Sequence, residues 1–195
     1  WYKDEVDANK NPTGKRVTTN DYGSADYYYV DKSSLPKVYG GFNTSLSWKG
    51  FDLSAIFAYS IGGYIYNRDV TMILHNGSLE GRDWSTEILR RWTPDNRYTD
   101  VPALSTTSNN WNSASTRFLQ NNSYMRLKNL TLSYNLPKQW ISKLSLSSVQ
   151  VYVQGDNLFT IHRNQGLDPE QGITGITYYR YPAMRTISGG INVSF

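Results

Sequence analysis

The chain has two histidines, 16 acidic residues and no cysteine with which to build a reactive or metal-binding centre. Asp168-Pro169-Glu170 sets two carboxylates on either side of a proline, and with Asp156 it is where a glycoside-hydrolase reading would look for its acids. His75 and His162 are lone and distant, and no base stands beside a nucleophile, so these residues form no constellation. Asp7-Ala8-Asn9-Lys10-Asn11 opens with the spacing of a calcium loop, but Pro12 takes the place of the required glycine and Thr18 that of the closing glutamate. That segment reads as a plain turn. The reading is therefore no catalytic residue, no metal and no cofactor.

Aromatic side chains are the better candidates for binding chemistry. Trp84, Trp92, Trp111 and Tyr98 lie in a long stretch rich in Asn, Ser and Thr, where flat rings suit the apolar faces of pyranoses. The competing reading makes Trp84, Ile88, Leu89 and Trp92 the buried stripe of a short helix capped by Asp83 or Ser85 and ended near Thr93-Pro94. Trp111, between Asn110 and Asn112, is the stronger ligand candidate of the set. A second short helix is expected over Tyr66 to Asn76, with Gly77 just beyond it.

The elements that must position these residues are strands. Phe42, Leu46 and Trp48 share one parity and Phe51, Leu53, Ala55, Phe57, Tyr59 and Ile61 the other. Folding the two runs about Lys49-Gly50 pairs Trp48 with Phe51, Leu46 with Leu53 and Phe42 with Phe57 on one face. Leu130, Leu132, Tyr134 and Leu136 alternate with Asn129, Thr131, Ser133 and Asn135, and Val149, Val151 and Val153 alternate with Gln150, Tyr152, Gln154 and Asp156. At the end of the chain Ile187, Gly189, Ile191, Val193 and Phe195 form an apolar row that finishes on an aromatic ring. Strands are expected over 37–48, 51–64, 123–136, 148–161 and 184–195, with 1–36 a loop region holding at most a short ribbon.

Composition narrows what such strands can build. No run of about eighteen apolar residues exists, which excludes a membrane-spanning helix, but a barrel wall alternates lipid-facing and lumen-facing residues and escapes hydropathy. The mean hydropathy of -0.57 is thus compatible with a membrane protein. A net charge of +4 with scattered Lys and Arg argues against nucleic acid as a partner. The connections alternate short, long, short, long, as in membrane barrels with tight periplasmic turns and large outer loops. Trp48, Phe51, Tyr134, Trp140 and Phe195 fall at the short-turn end, and Tyr59, Tyr64, Tyr124 and Phe159 at the other, giving two aromatic girdles. Arg126 and Lys128 share the parity of the lipid face but lie above the apolar band, in reach of lipopolysaccharide phosphates. Five strands cannot close a barrel, so further strands are expected from an N-terminal portion beyond Trp1. A soluble β-sandwich that holds glycans through loop aromatics, or an adhesin of that kind, is the alternative.

Particular runs carry a resemblance. Leu35-Pro36-Lys37-Val38-Tyr39-Gly40-Gly41-Phe42-Asn43, Trp48-Lys49-Gly50-Phe51-Asp52-Leu53, Tyr124 to Tyr134, Gly155-Asp156-Asn157-Leu158-Phe159-Thr160 and Tyr181 to Phe195 resemble, in order, the C-terminal part of the SusC/RagA family of TonB-dependent outer-membrane transporters. The resemblance implies an all-β fold: the C-terminal strands of an antiparallel, plugged transmembrane β-barrel with long extracellular loops containing short helices. It implies import of oligosaccharides or peptides across the outer membrane of a Gram-negative, Bacteroidetes-like cell, driven through TonB by an N-terminal region outside this chain, under a SusD-like lipoprotein lid. Tyr152 and Asp156 then join Trp111, Tyr98, Trp84 and Trp92 as candidate substrate contacts. Ile187, Ile191, Val193 and Phe195 become the candidate signal to the barrel-assembly machinery, and outer-membrane lipid the surroundings of the wall.

Overall fold

The computed structural model describes residues 1–77, 79, 81–105, 111–164, 166, 168–170, 172–177 and 179–195. Thr106 to Asn110, within the long stretch rich in Asn, Ser and Thr, and Tyr178 lie outside the described residues. In chain order the elements are β1 (Tyr2–Val6), β2 (Pro12–Thr18), β3 (Val38–Trp48), β4 (Phe51–Ile61), β5 (Tyr64–Tyr66), α1 (Arg68–Ile73), β6 (Leu119–Asn121), β7 (Tyr124–Asn135), α2 (Lys138–Ile141), β8 (Ser148–His162) and β9 (Thr186–Ser194), with short 3₁₀ turns between them. Two units divide them. One comprises residues 1–32, 66–120 and 176–179, the other 33–65, 121–175 and 180–195.

The second unit is a five-stranded antiparallel sheet in the order β3-β4-β7-β8-β9. Its first hairpin closes on Lys49 (φ 48°) and Gly50 (φ 88°), a two-residue turn with both central residues left-handed. That geometry matches the right-handed twist of the flanking strands. It fixes the register that the parities demand: Trp48 opposite Phe51, Leu46 opposite Leu53, Phe42 opposite Phe57. The strand expected to run on to residue 64 ends at Ile61, because Gly62 turns to φ 95° and its N–H leaves the ladder for Ser123 Oγ at 2.9 Å.

One row shows what the sheet is. Leu46, Leu53, Leu132, Val153 and Gly189 stand side by side across all five strands, and the flanking row runs Trp48, Phe51, Tyr134, Val151, Ile191. These side chains are exposed or half-buried, with Leu46 at 67% and Ile191 at 65%. The opposite face is polar and cross-linked. Ser47 donates to Asp52, Asn135 Nδ2 donates to Asp52 at 2.7 Å, Gln150 Nε2 to Asn135 at 3.1 Å, and Asn192 Nδ2 to Gln150 at 3.2 Å. A soluble sheet buries its apolar face and wets its polar one. This sheet does the reverse, satisfying its polar groups internally and leaving its apolar face outward, as a wall against lipid requires.

The first unit is built separately. β1 and β2 form a hairpin whose turn is an Asx turn: Asp7 Oδ1 accepts from the N–H groups of Asn9 and Asn11, the plain turn that the Pro12 substitution implies. Asn67 caps α1 by accepting from Val70 N–H at 3.0 Å. Phe118, Val101 and Ile88 are among its buried apolar residues. The expected helix bearing Trp84 and Trp92 is only a 3₁₀ turn over Thr86–Arg90, capped by Ser85. Trp84 precedes it and Trp92 follows it, while Leu89 is 73% exposed, so no common buried stripe exists. One turn is too short to carry residues eight apart on one face.

Candidate functional site

On the polar face, near the end of the sheet opposite the Lys49-Gly50 turn, a bulge changes which residues point inward. Asn129 pairs with Ile56 and Leu127 with Phe57, so Lys128 is an extra residue in β7. On the other side it stands opposite both Asn157 and Leu158 of β8, where Asn157 turns to φ 52°. Beyond the bulge Leu127 and Met125 join Phe57 and Tyr59 on the apolar face, and Arg126 and Tyr124 join Ala58 and Ser60 on the polar face. Strict alternation puts Arg126 and Lys128 toward lipid and Tyr124 in an outer girdle. The bulge overturns both placements for Arg126 and Tyr124.

Arg126 is 4% exposed, and a buried guanidinium needs partners. It has three. Its Nη2 meets Asp168 Oδ1 at 2.5 Å, its Nη1 meets Glu170 Oε2 at 2.8 Å, and its Nε donates to Thr160 Oγ1 at 2.8 Å. Lys128 Nζ adds a second cation to Glu170 at 2.5 Å. Two cations thus face two carboxylates, and neither cation is left for lipopolysaccharide phosphate. Burial pushes the Asp168 carboxyl up, but N–H donation from Ala183, the Arg126 guanidinium and the Glu170 N–H together outweigh it and hold the group below the usual carboxylate range. The Asp-Pro-Glu acids are therefore the arms by which a loop is tied to the wall.

Other bonds fasten the same loop. Asn122 Nδ2 donates to Pro169 O at 2.8 Å, and Ser34 Oγ donates to Ile173 O at 2.9 Å. Gly175 sits so close that a Cβ there would come within 2.7 Å of Ser34, at φ 73°. Between loop and wall remains a cleft of about 300 Å³. Tyr39, Ser60, Tyr124, Pro169 and Ile173 line it among others, and among the described residues none of its lining side chains is a Lys, Arg, His, Asp or Glu.

The residues singled out by sequence fall in two groups. Tyr152 and Asp156 lie on the polar face, Tyr152 across Gly190 and Asp156 accepting from Asn129 Nδ2 at 2.8 Å. Trp84, Trp92, Tyr98 and Trp111 belong to the other unit. The Trp111 indole N–H donates to the Leu74 carbonyl and the Arg117 guanidinium lies 3.9 Å above its ring, while Trp84 Nε1 donates to His75 Nδ1 at 3.0 Å. Trp92 is half-exposed and Tyr98 fully exposed. Ile187, Ile191 and Val193 line the apolar face of edge strand β9, and Phe195 follows it, 94% exposed. The Arg126 cluster and the Tyr124 side of the cleft escape sequence reading, since only the bulge puts Arg126 and Tyr124 on the inner face.

No protein-family model matches the chain. It is 34% identical over 166 residues, 80% of its length, to TonB-dependent receptor P3 of Formosa agariphila, and 27% identical over its full length to TonB-dependent receptor SusC of Bacteroides thetaiotaomicron. Among solved structures it superposes on the RagAB peptide importer in its closed-closed state with a TM-score of 0.80 and 36% identity over 98% of the chain. The chain spans 16 to 20% of the length of these proteins. The inverted sheet, apolar outward and hydrogen-bonded inward, and these similarities together place the chain in the SusC/RagA family of TonB-dependent receptors.

Proposed function

We propose that this chain is a section of barrel wall in an outer-membrane importer that takes up oligosaccharides or peptides and draws its energy from TonB. Residues 37–195 supply the wall and residues 1–36 an extracellular loop region. The observation that carries this reading is the five-stranded sheet whose apolar rows are uncovered while its polar face closes its own hydrogen bonds. A sandwich module would need a second sheet over that apolar face. The likeness to the RagAB peptide importer brings peptides into the substrate range, and the family resemblance brings oligosaccharides. A SusD-like lipoprotein over the outer mouth, the TonB complex, the barrel-assembly machinery and outer-membrane lipid complete the set of partners.

The chain has no cysteine, which gives a clean test in the full-length protein once any cysteines elsewhere in it are replaced. A fluorophore on Ile191→Cys should be quenched by brominated lipid, and one on Ser188→Cys should not. Equal quenching at the two positions would remove the membrane reading. Growth on a defined oligosaccharide or peptide, compared between cells with and without the gene, then tests import.

A further inference from the structure

The two ends of the sheet treat their charges differently. At the bulge, Arg126 and Lys128 are bonded to Asp168 and Glu170. At the opposite end the Lys49-Gly50 turn, α2 and the 3₁₀ turn over Ser142–Leu144 carry Lys49, Lys138 and Lys143, all exposed. Across 46–54, 132–150 and 190–195 the one acidic side chain is Asp52. It is already engaged on the polar face, where Ser47 Oγ donates to its Oδ1 at 2.5 Å and Asn135 Nδ2 to its Oδ2 at 2.7 Å. Among the described residues the three ammonium groups of this end have no carboxylate partner.

Their placement tells from which side of the wall the missing anion comes. Lys49 Nζ lies 5.0 Å from the centroid of the Trp48 ring, and Trp48 shares its apolar row with Phe51 and Tyr134, whose rings are 4.5 Å apart. The ammonium therefore rests on the lipid side of the sheet, over an aromatic ring, and not on the polar face. Asn135 N–H donates to Gly50 O at 2.8 Å, which holds this turn against β7 just before Pro137 and Lys138. Ile141, 4% exposed, anchors α2 and leaves Trp140 exposed two residues from Lys138. Tryptophan rings at the edge of an apolar band sit at headgroup level, and the long stem of a lysine lets its amine reach past them to phosphate. A zwitterionic lipid brings its own cation to each phosphate. A net-anionic lipid does not, so unmatched ammonium groups favour it.

We propose that this rim of the wall gathers net-anionic glycerophospholipid, with headgroup phosphates facing Lys49, Lys138 and Lys143 and Trp48 and Trp140 bordering the acyl chains. The proposal rests on the reading of the sheet as a membrane wall and names the lipid that one end of it selects. The test uses the full-length protein, with any other cysteines replaced, in phosphatidylcholine vesicles containing a minor fraction of phosphatidylglycerol brominated on its acyl chains. A fluorophore on Val193→Cys, on the apolar face near the rim, should be quenched more than one on Phe159→Cys, on the same face toward the bulge. Replacing any one of the three lysines should lower that preference about fivefold. Lys49→Asn, which suits the φ of 48° there, combined with Lys138→Gln and Lys143→Gln should bring the two positions level. High ionic strength should do the same to the wild type. Lys3→Gln, Lys10→Gln and Lys15→Gln together remove equal charge from the β1–β2 hairpin and should change nothing. Unchanged heat-modifiability of each variant shows that its barrel has assembled.

Equal quenching at the two positions in the wild type overturns the proposal. So does an excess at Val193→Cys that survives loss of the three rim lysines, or one that the hairpin variant loses as well. Brominated phosphatidylcholine keeps the larger reading separate. It should quench both positions in every variant; if it quenches neither, the wall itself is removed, whereas quenching by phosphatidylcholine without an excess from phosphatidylglycerol removes the rim proposal alone.

Discussion

Replacing Arg126 by Met removes the one charge that three partners converge on and keeps most of the volume of the side chain. Asp168, with a side chain 7% exposed, would be left as a buried carboxylate without its guanidinium, held by donors such as the N–H groups of Ala183 and Glu170. Breaking one side of a buried ion pair costs about 3–5 kcal/mol. The cost falls on the attachment of the loop rather than on the barrel, so the readout should be local. Hydrogen exchange of the Ala183 and Glu170 amides, which Asp168 holds, should accelerate roughly 150- to 5,000-fold in the full-length protein. Lys128→Met is the control. Lys128 is a third exposed and pairs with Glu170 alone, so its loss should cost about 0–1 kcal/mol and accelerate exchange less than tenfold. Acid supplies an independent arm. Because the folded Asp168 carboxyl titrates below its usual value, its contribution is complete above the unfolded carboxylate range and is lost as pH falls through the folded value. Protection, corrected for the intrinsic exchange rate, should be flat from pH 8 to about 4 and decline below that. Wild-type exchange in Arg126→Met would refute the claim that this cluster ties the loop down.

Other outcomes follow from the wall. Phe57→Arg, on the apolar face between Phe42 and Leu127, should cost about 2–4 kcal/mol in lipid, and Ser54→Arg, on the polar face, far less; equal costs measured by folding into vesicles would contradict the parity of β4. Gly190→Ala would put a Cβ within 2.7 Å of Tyr152 Oη and should destabilise the assembled barrel by about 1–3 kcal/mol, with Tyr152→Ala in the same chain restoring it; no rescue in the double variant would show that the ring is not what Gly190 accommodates. Deleting Phe195 or replacing it by Asp should lower the heat-modifiable barrel in the outer membrane and leave chain in the periplasm, and Phe159→Asp should be milder; wild-type assembly without Phe195 would remove it from the assembly signal.

The wall is legible in the sequence because a period of two is a property of neighbouring residues. Once Lys49-Gly50 is taken as a two-residue turn, every pair from Trp48–Phe51 to Phe42–Phe57 follows, and Pro137 marks where β7 must stop. The short 3₁₀ turn at Thr86–Arg90 is not legible. Trp84, Ile88 and Trp92 have helical spacing, but the bonds that form there, the Glu87 N–H to Ser85 Oγ and the Trp84 indole N–H to His75, favour a single turn. Periodicity cannot weigh such competitors. Trp111 illustrates the same limit in another form, since its indole is tied to Leu74 O, a partner 37 residues away.

Lys128 links the wall to the cleft. Without the bulge, Arg126 would face lipid, where a guanidinium costs several kcal/mol, and Tyr124 would sit beside it on the outer face. One extra residue in β7 turns both inward while Leu127 and Met125 take their places outside, so the wall keeps its apolar face and the inner face gains a cation and a phenol. In Tyr124-Met125-Arg126-Leu127-Lys128-Asn129-Leu130 the apolar parity moves from Met125 and Leu127 to Leu130 and Leu132 across two consecutive polar residues, Lys128-Asn129, so the phase change is written in residue type and is lost only when the phase of Leu130 is carried upstream unchanged. A second sign of the bulge is electrostatic. A cation on an apolar face two residues from another cation has no partner there, whereas Asp168 and Glu170, about forty residues on, need partners of their own. Pairing the two sets requires β7 to change phase between Arg126 and Leu130, which is where the structure places the bulge.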